Sequence, residues 1–171
     1  MFRNQSGICT RIQVTMSNCT ECGAPDAACQ ARFNEFLALE FMEASFGAVH
    51  HLTVATFMLQ HSSRLTLEGW YYERELLREF LVANKPPALV RRQNKSKVDN
   101  GRRDFKIKSK TGQPVIGKIR WMKTILDVHT NTAKIYCADV TAWARAALSD
   151  SELVVPQAPK PLCKLESPEI E

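Results

Sequence analysis

The chain has 171 residues, 44% of them hydrophobic, and a formal net charge of +5 at pH 7. This length and apolar content are enough to bury one core, so a single domain is expected. No apolar run approaches the roughly 18 residues that a membrane-spanning helix needs, which argues against a membrane partner.

Apolar spacing predicts four helices. Phenylalanines at helical spacing indicate the first, over residues 27–44. Residues 48–60 are apolar on nearly every face, which is typical of a central, buried helix. A third helix is predicted over residues 66–83, and Lys85, Pro86 and Pro87 stop it. A fourth, capped by either Asp127 or Thr130, is predicted to run to Leu148. The result is an all-α protein, an irregular four-helix bundle with one long connection.

The basic residues are concentrated in one segment. Twelve Lys or Arg and two Asp lie between positions 91 and 123, a local charge of +10. Such a segment could bind nucleic acid by neutralising phosphates. However, Phe105 is the only aromatic residue between positions 91 and 110, and single strands need aromatic side chains for stacking. A long, solvated basic loop over residues 91–114 is therefore the favoured interpretation.

The two ends of the chain lack helical periodicity. Residues 1–15 are expected to form a disordered extension, with Met16 as an alternative start. They contain no continuous apolar region of the kind found in secretory signals. We therefore expect a cytoplasmic protein whose six cysteines are reduced. Residues 149–171, rich in proline from Pro156 onward, are expected to be a disordered tail. Between these two ends, residues 16–148 are expected to form one helical domain.

The most informative motif is Cys19-Thr-Glu-Cys22-Gly23, followed by Cys29. Two thiols separated by two residues, directly before a glycine, can converge on one soft cation. Cys29 lies in the first turn of the first predicted helix, where the helix dipole favours a thiolate. The sequence therefore predicts a zinc-knuckle-like site with Cys19, Cys22 and Cys29 as ligands. Reduced cysteines without a metal, or a redox CxxC pair, are the alternatives.

The fourth ligand would be a histidine. His50 and His61 are eleven residues apart, which is about 16 Å along one helix, so they cannot both bind one ion. His50 and His51 point about 100° apart on a helix, so at most one of them faces the cysteines. We expect His50 to be the fourth ligand, with His51 and His61 as alternatives. For His61, a bond to carbonyl groups at the end of the helix is favoured instead.

Two classes of function fit these residues. In the first, three thiolates and one imidazole close a structural metal site. In the second, a hydrolase or thiol transferase keeps one coordination position open and uses a base such as Glu40. Glu40 could alternatively orient an imidazole or be a solvated surface charge, and the last of these is favoured. The structural role is preferred; no catalytic residue and no protein or small-molecule partner is indicated.

Several motifs together resemble an uncharacterised bacterial family of small proteins, a domain of unknown function. They are the CxxCG motif with a following cysteine, Phe33-x-x-Phe36-Leu with Glu40, Val49-His-His-Leu-Thr-Val54 with Leu59-Gln-His61, Thr124-Ile-Leu-Asp-Val128, and Val140-x-x-Trp-Ala144. The resemblance covers most of residues 16–148. It implies a histidine near position 136, where this chain has Tyr136. The family has no established activity, so the resemblance supports the extent of the domain and the choice of motifs.

Overall fold

The computed structural model describes residues 18–25, 28–99 and 107–154. Within these ranges the chain forms six α-helices: α1 (Ala28–Met42), α2 (Ala44–Gly47), α3 (His50–Gln60), α4 (Leu67–Leu81), α5 (Pro87–Asp99) and α6 (Ala133–Glu152). Short 3-10 helices follow α3, at Ser62–Arg64, and precede α6, at Ile125–Asp127. The same ranges contain no β-strand, only isolated bridges, so the all-α prediction is confirmed.

Some predictions lie outside the described residues. These are the extension over residues 1–15, the alternative start at Met16 and the tail from Pro156 onward. No helix within the described residues is both long enough and apolar enough to cross a membrane.

Helix α3 is the centre of the fold. It packs against α4, α6 and α1. The side chains that it buries lie on all sides of the helix: Leu52, Thr53, Ala55, Thr56, Phe57, Leu59 and Gln60. A helix with apolar residues around most of its circumference is stable only inside a protein. The central position expected for residues 48–60 is thus observed.

The C-terminal end of α3 is fixed by hydrogen bonds from buried polar groups. The indole Nε1 of Trp70 donates to the carbonyl oxygen of Leu59 at 3.0 Å, and that of Trp143 donates to Oε1 of Gln60 at 3.1 Å. Gln60 in turn donates from Nε2 to the carbonyl oxygen of Lys123 at 2.7 Å. Because buried polar atoms are costly to leave unpaired, these bonds hold the end of α3 in one position.

The prediction of a loop over residues 91–114 is wrong for its first part, because α5 extends to Asp99. Pro87 is the first residue of this helix, where a missing N–H costs nothing and the fixed φ favours a helix. Val90 is fully buried and attaches the helix to the fold. Residues 107–114 do lack helix and strand. The predicted number of four helices is also wrong, since α2 and α5 were not expected.

The prediction of a disordered tail from residue 149 is wrong for its first residues. Helix α6 continues to Glu152, and Asp150 and Ser151 are buried. The carboxylate of Asp150 accepts a hydrogen bond from the backbone N–H of Met122 at 2.7 Å. This tertiary contact extends the helix beyond its apolar stripe, which ends at Leu148.

Candidate metal centre

Residues 18–25 form a tight turn, which we call the cysteine loop. The backbone N–H of Cys19 donates to the carbonyl oxygen of Ala24 at 2.6 Å, and that of Gly23 donates to the carbonyl oxygen of Cys19 at 2.9 Å. Gly23 has a φ of +80°, a conformation that glycine adopts without steric cost. The glycine after the second cysteine therefore allows the chain to reverse and bring Cys19 and Cys22 together.

Cys29 is the second residue of α1 and is buried. It lies in the first turn of the helix, where unpaired backbone N–H groups and the helix dipole stabilise a negative sulfur. This position is the one expected from the sequence. The third thiol thus comes from a regular helix, whereas the other two come from the cysteine loop.

His61 is the residue that follows α3, and it is buried. Its Nδ1 hydrogen-bonds to the carbonyl oxygen of Phe57 at 2.8 Å, and its ring stacks on the Phe57 ring with centroids 4.0 Å apart. A carbonyl can only accept, so Nδ1 carries the proton and Nε2 has a free lone pair. Nε2 is buried and has no hydrogen-bond partner among the described residues.

These four residues form one compact cluster. The sulfurs of Cys19, Cys22 and Cys29 and a ring nitrogen of His61 all lie within 4.8 Å of one another. Zinc–sulfur bonds of about 2.3 Å in a tetrahedron place the sulfurs about 3.8 Å apart. The cluster therefore needs to contract only slightly to surround an ion of that size.

The protonation of the three thiols differs. Burial raises the pKa of Cys19, but hydrogen bonds to its sulfur from the backbone N–H groups of Cys22 and Glu21 and from neighbouring thiols leave its pKa below the ordinary value. Burial is the main reason why the pKa values of Cys22 and Cys29 are raised, and neighbouring sulfur charge adds to it. Without a cation, Cys19 is therefore the thiol of the cluster that loses its proton most readily.

Burial also lowers the pKa of His61, although its bond to Phe57 and the charge of Glu21 oppose the shift. The imidazole is therefore neutral near pH 7, as a metal ligand must be. A neutral ring whose other nitrogen is held by a carbonyl oxygen is the usual state of a metal-bound histidine.

Glu21 ties the cysteine loop to the residues that follow His61. Its carboxylate accepts hydrogen bonds from the backbone N–H of Ser63 at 2.8 Å, from Ser63 Oγ at 2.7 Å and from Ser62 Oγ at 3.2 Å. Its carbonyl oxygen accepts a hydrogen bond from Nε1 of Trp121 at 2.9 Å. Glu21, one of the two residues between Cys19 and Cys22, thus fixes the loop against the turn that carries His61.

His50, the residue expected as fourth ligand, is not part of the cluster, and neither is His51. His50 begins α3, and its Nδ1 lies 2.7 Å from Oε2 of Glu40. The ring of His51 packs edge-on against the ring of Phe80. The C-terminal end of α3 lies against the cysteine loop, so His61, which follows that end, joins the cysteines. His50 begins the helix at its opposite end.

Glu40 is not the solvated surface charge that was favoured from the sequence, because its residue is only 6% exposed. Its carboxylate orients the His50 imidazole and accepts hydrogen bonds from the hydroxyls of Thr53 at 2.5 Å and Tyr136 at 2.6 Å. Tyr136 thus binds Glu40 at the position where the family resemblance implied a histidine.

Comparison with known proteins places this site in a family. A family model described as a family of unknown function (DUF5946) matches residues 17–152. The match covers most of the chain, which therefore belongs to this family. No curated protein and no solved structure matches the chain.

Proposed function

We propose that this member of DUF5946 is a zinc-binding helical protein in which Cys19, Cys22, Cys29 and His61 hold one Zn²⁺ in a mainly structural site. The observation that carries the proposal is the buried Nε2 of His61, which has no hydrogen-bond partner among the described residues, in a histidine that belongs to the cluster of potential ligands. A buried polar atom without a partner is costly, and a metal bond would satisfy it.

The ligand types favour zinc and a closed site. Thiolates select soft or borderline cations, and three sulfurs with one imidazole in tetrahedral geometry are typical of structural zinc. A hydrolytic site would instead need an open position for water. Here four protein ligands fill the tetrahedron, and Glu40 binds His50 at the other end of α3, so it supplies no base to this site.

The same proposal includes a reducing compartment such as the cytoplasm. The four cysteines within the described residues, Cys19, Cys22, Cys29 and Cys137, are free. Zinc binding requires three of them to remain as thiolates, and a cytoplasmic location would keep them reduced.

Metal analysis of purified protein tests the proposal. We expect about one equivalent of zinc per chain in the unmodified protein and a loss of most of it in a Cys22→Ser variant. Cys137→Ser is the matched control, because Cys137 lies on α6 and is not in the cluster. Full zinc content in the Cys22→Ser variant, or equal losses in both variants, would contradict the proposal.

A further inference from the structure

A second group of polar side chains surrounds the carboxylate of Glu40, at the opposite end of α3 from the cysteine cluster. Glu40 accepts hydrogen bonds from Thr53 and Tyr136 at one oxygen and contacts His50 at the other. Burial and the bond to Glu40 raise the pKa of Tyr136, so the phenol remains a donor. Glu40, on α1, is thus a fixed hydrogen-bond acceptor, because its partners on α3 and α6 hold its carboxylate in place.

This arrangement orients the His50 ring. With Nδ1 donating to the carboxylate, Nε2 is the nitrogen that can accept a hydrogen bond from another molecule. The side chain of His50 is 54% exposed, while that of Glu40 is 1% exposed. Glu40 is therefore a positioning residue, and His50 presents an oriented polar group at the surface of the fold.

His50 lies beside a cavity of about 780 Å³ between α1, α3 and α5. Its walls are mainly apolar and include Leu37, Phe41, Ala48 and Pro87. A neighbouring cavity of about 530 Å³ shares His51, Pro87 and Arg91 with it and continues along α4 and α5. We call the two together the α5 cleft. Their volumes are typical of sites for small organic ligands.

The α5 cleft also has a positively charged wall. Arg91 lines both cavities and Lys95 lines the second. Arg91 forms no ion pair with a carboxylate within the described part of the chain. The described lining residues include one acid, Glu40, whose oxygens are already occupied by hydrogen bonds. An unpaired guanidinium beside an apolar cavity attracts an organic anion.

We propose that the α5 cleft binds a small organic acid with an apolar body. Its carboxylate pairs with Arg91, its hydrocarbon part lies against Leu37, Phe41 and Pro87, and a hydroxyl next to the carboxylate donates to Nε2 of His50. The ligand class is thus a hydroxy acid with an aliphatic chain, and an α-hydroxy acid is its simplest member that can use both Arg91 and His50, which line the same cavity. Because the carboxylate of Glu40 repels a second anion, the acid group must lie at the Arg91 side and the neutral hydroxyl at the His50 side.

The test measures binding of α-hydroxyoctanoate to the full chain by calorimetry. Arg91→Met should weaken binding about tenfold, because a charge-assisted pair is lost. Arg92→Met is the matched control: Arg92 lies on the same helix, is exposed and does not line either cavity. It should change the affinity less than twofold. Equal effects of the two substitutions, or no saturable binding, would overturn the proposal.

Two further comparisons test the roles of the charge and the histidine. The neutral α-hydroxyoctanamide should bind at least about tenfold more weakly than the acid; equal binding would indicate a merely apolar surface and overturn the proposal.

The preference for α-hydroxyoctanoate over octanoate should disappear in His50→Gln. It should persist in His129→Gln, because His129 also has its Nδ1 held by a carboxylate, that of Asp139 at 2.8 Å, but does not line the cleft. Helicity and the unfolding temperature establish that each variant is folded, independently of ligand binding.

Discussion

The two nitrogens of His61 explain how one side chain can make the carbonyl bond favoured from the sequence and still be available to the proposed metal. A histidine at the end of a helix is expected to bond to a carbonyl of the preceding turn, and Nδ1 of His61 does so with Phe57. That bond occupies one nitrogen and fixes the ring, which leaves the buried, unpartnered Nε2 as the nitrogen available to a metal in the cluster. One imidazole can therefore make a structural hydrogen bond and also bind a metal. The hydrogen bond at Nδ1 fixes the tautomer and the ring orientation that metal binding at Nε2 requires.

Substitution of His61 and of His50, one at a time, shows which of the two histidines binds zinc. His61→Gln removes a proposed ligand and should lower zinc affinity by at least about 10- to 100-fold, the loss typical of mutating even a residue that only orients a ligand, whereas His50→Gln should leave it unchanged because His50 contacts Glu40. Competition with a chromophoric zinc chelator measures both affinities. A variant pattern in which His50→Gln alone weakens binding would refute the assignment of His61.

The three cysteines of the candidate site could be predicted from sequence, whereas the choice of His61 as the clustered histidine could not. CxxCG spacing determines the local turn, and the position of Cys29 follows from the start of α1, so both depend on short stretches of chain. The choice between His50 and His61 depends instead on which end of α3 meets the cysteine loop. That is decided by tertiary contacts such as those of Glu21 with Ser63, for which the sequence contains no local signal.

Glu73 should make the stability of the protein depend on pH. Burial raises its pKa to about 7, so the folded protein favours the neutral acid. The unfolded chain loses the proton at lower pH, so the contribution of Glu73 to stability is most favourable below about pH 4.5 and declines as pH rises toward 7. Glu73→Gln should raise the free energy of unfolding at pH 8 by up to about 3 kcal/mol and remove this decline.

Denaturant unfolding at several pH values checks this prediction. Glu75→Gln is the control, because Glu75 lies on the same helix with its side chain 53% exposed. An unchanged decline in Glu73→Gln would contradict a buried, neutral Glu73.

At the scale of elements, the start of α4 packs closely against residues 107–109, within the basic segment. The backbone N–H of Thr66 donates to the carbonyl oxygen of Ile107 at 2.8 Å, and that of Ser109 donates to the carbonyl oxygen of Arg64 at 2.9 Å. A Cβ on Gly69 would lie 2.4 Å from the carbonyl oxygen of Ile107. The helix can approach this segment only because position 69 has no side chain.

Gly69→Ala should therefore destabilise the protein, although alanine is preferred over glycine by about 1 kcal/mol in helices. We expect a loss of about 1–3 kcal/mol, since the contact is with backbone that cannot rotate away. Gly117→Ala is the control, because a Cβ there would meet nothing within 4 Å. Thermal unfolding measures both; a Gly69→Ala variant as stable as the unmodified protein would disprove the close packing.

Helices with a regular apolar pattern could be predicted from the sequence. Helical segments that are stabilised by tertiary contacts, without such a pattern, were missed. The bounds of α1, α3 and α4 follow from phenylalanine, leucine and tryptophan spacing. Helix α5 carries mostly polar residues in its described part and was expected to be a loop, yet Pro87 starts it and Val90 anchors it. The last turn of α6 likewise depends on the bond between Asp150 and Met122, which no periodicity reveals.

For the molecule as a whole, the proposed metal joins three separate parts of the chain: the cysteine loop, the start of α1 and the end of α3. The bundle has its own buried core beyond the site, including Trp70, Tyr136 and Trp143. Removal of zinc should therefore lower the unfolding temperature while most of the helix content remains.

Circular dichroism after chelation, followed by addition of Zn²⁺ or Mg²⁺, checks this expectation. Zinc should restore the unfolding temperature, and magnesium should not, because thiolates do not favour it. An unfolding temperature that chelation does not change would contradict a structural role for the metal.

The coordination shell itself is the most direct test of the central claim. X-ray absorption at the zinc edge, recorded on purified protein, should show three sulfur ligands at about 2.3 Å and one nitrogen at about 2.0 Å. In His61→Gln the imidazole signal should disappear from the spectrum, while the three sulfur ligands remain. A shell dominated by oxygen, or an imidazole signal that persists in His61→Gln, would contradict the account.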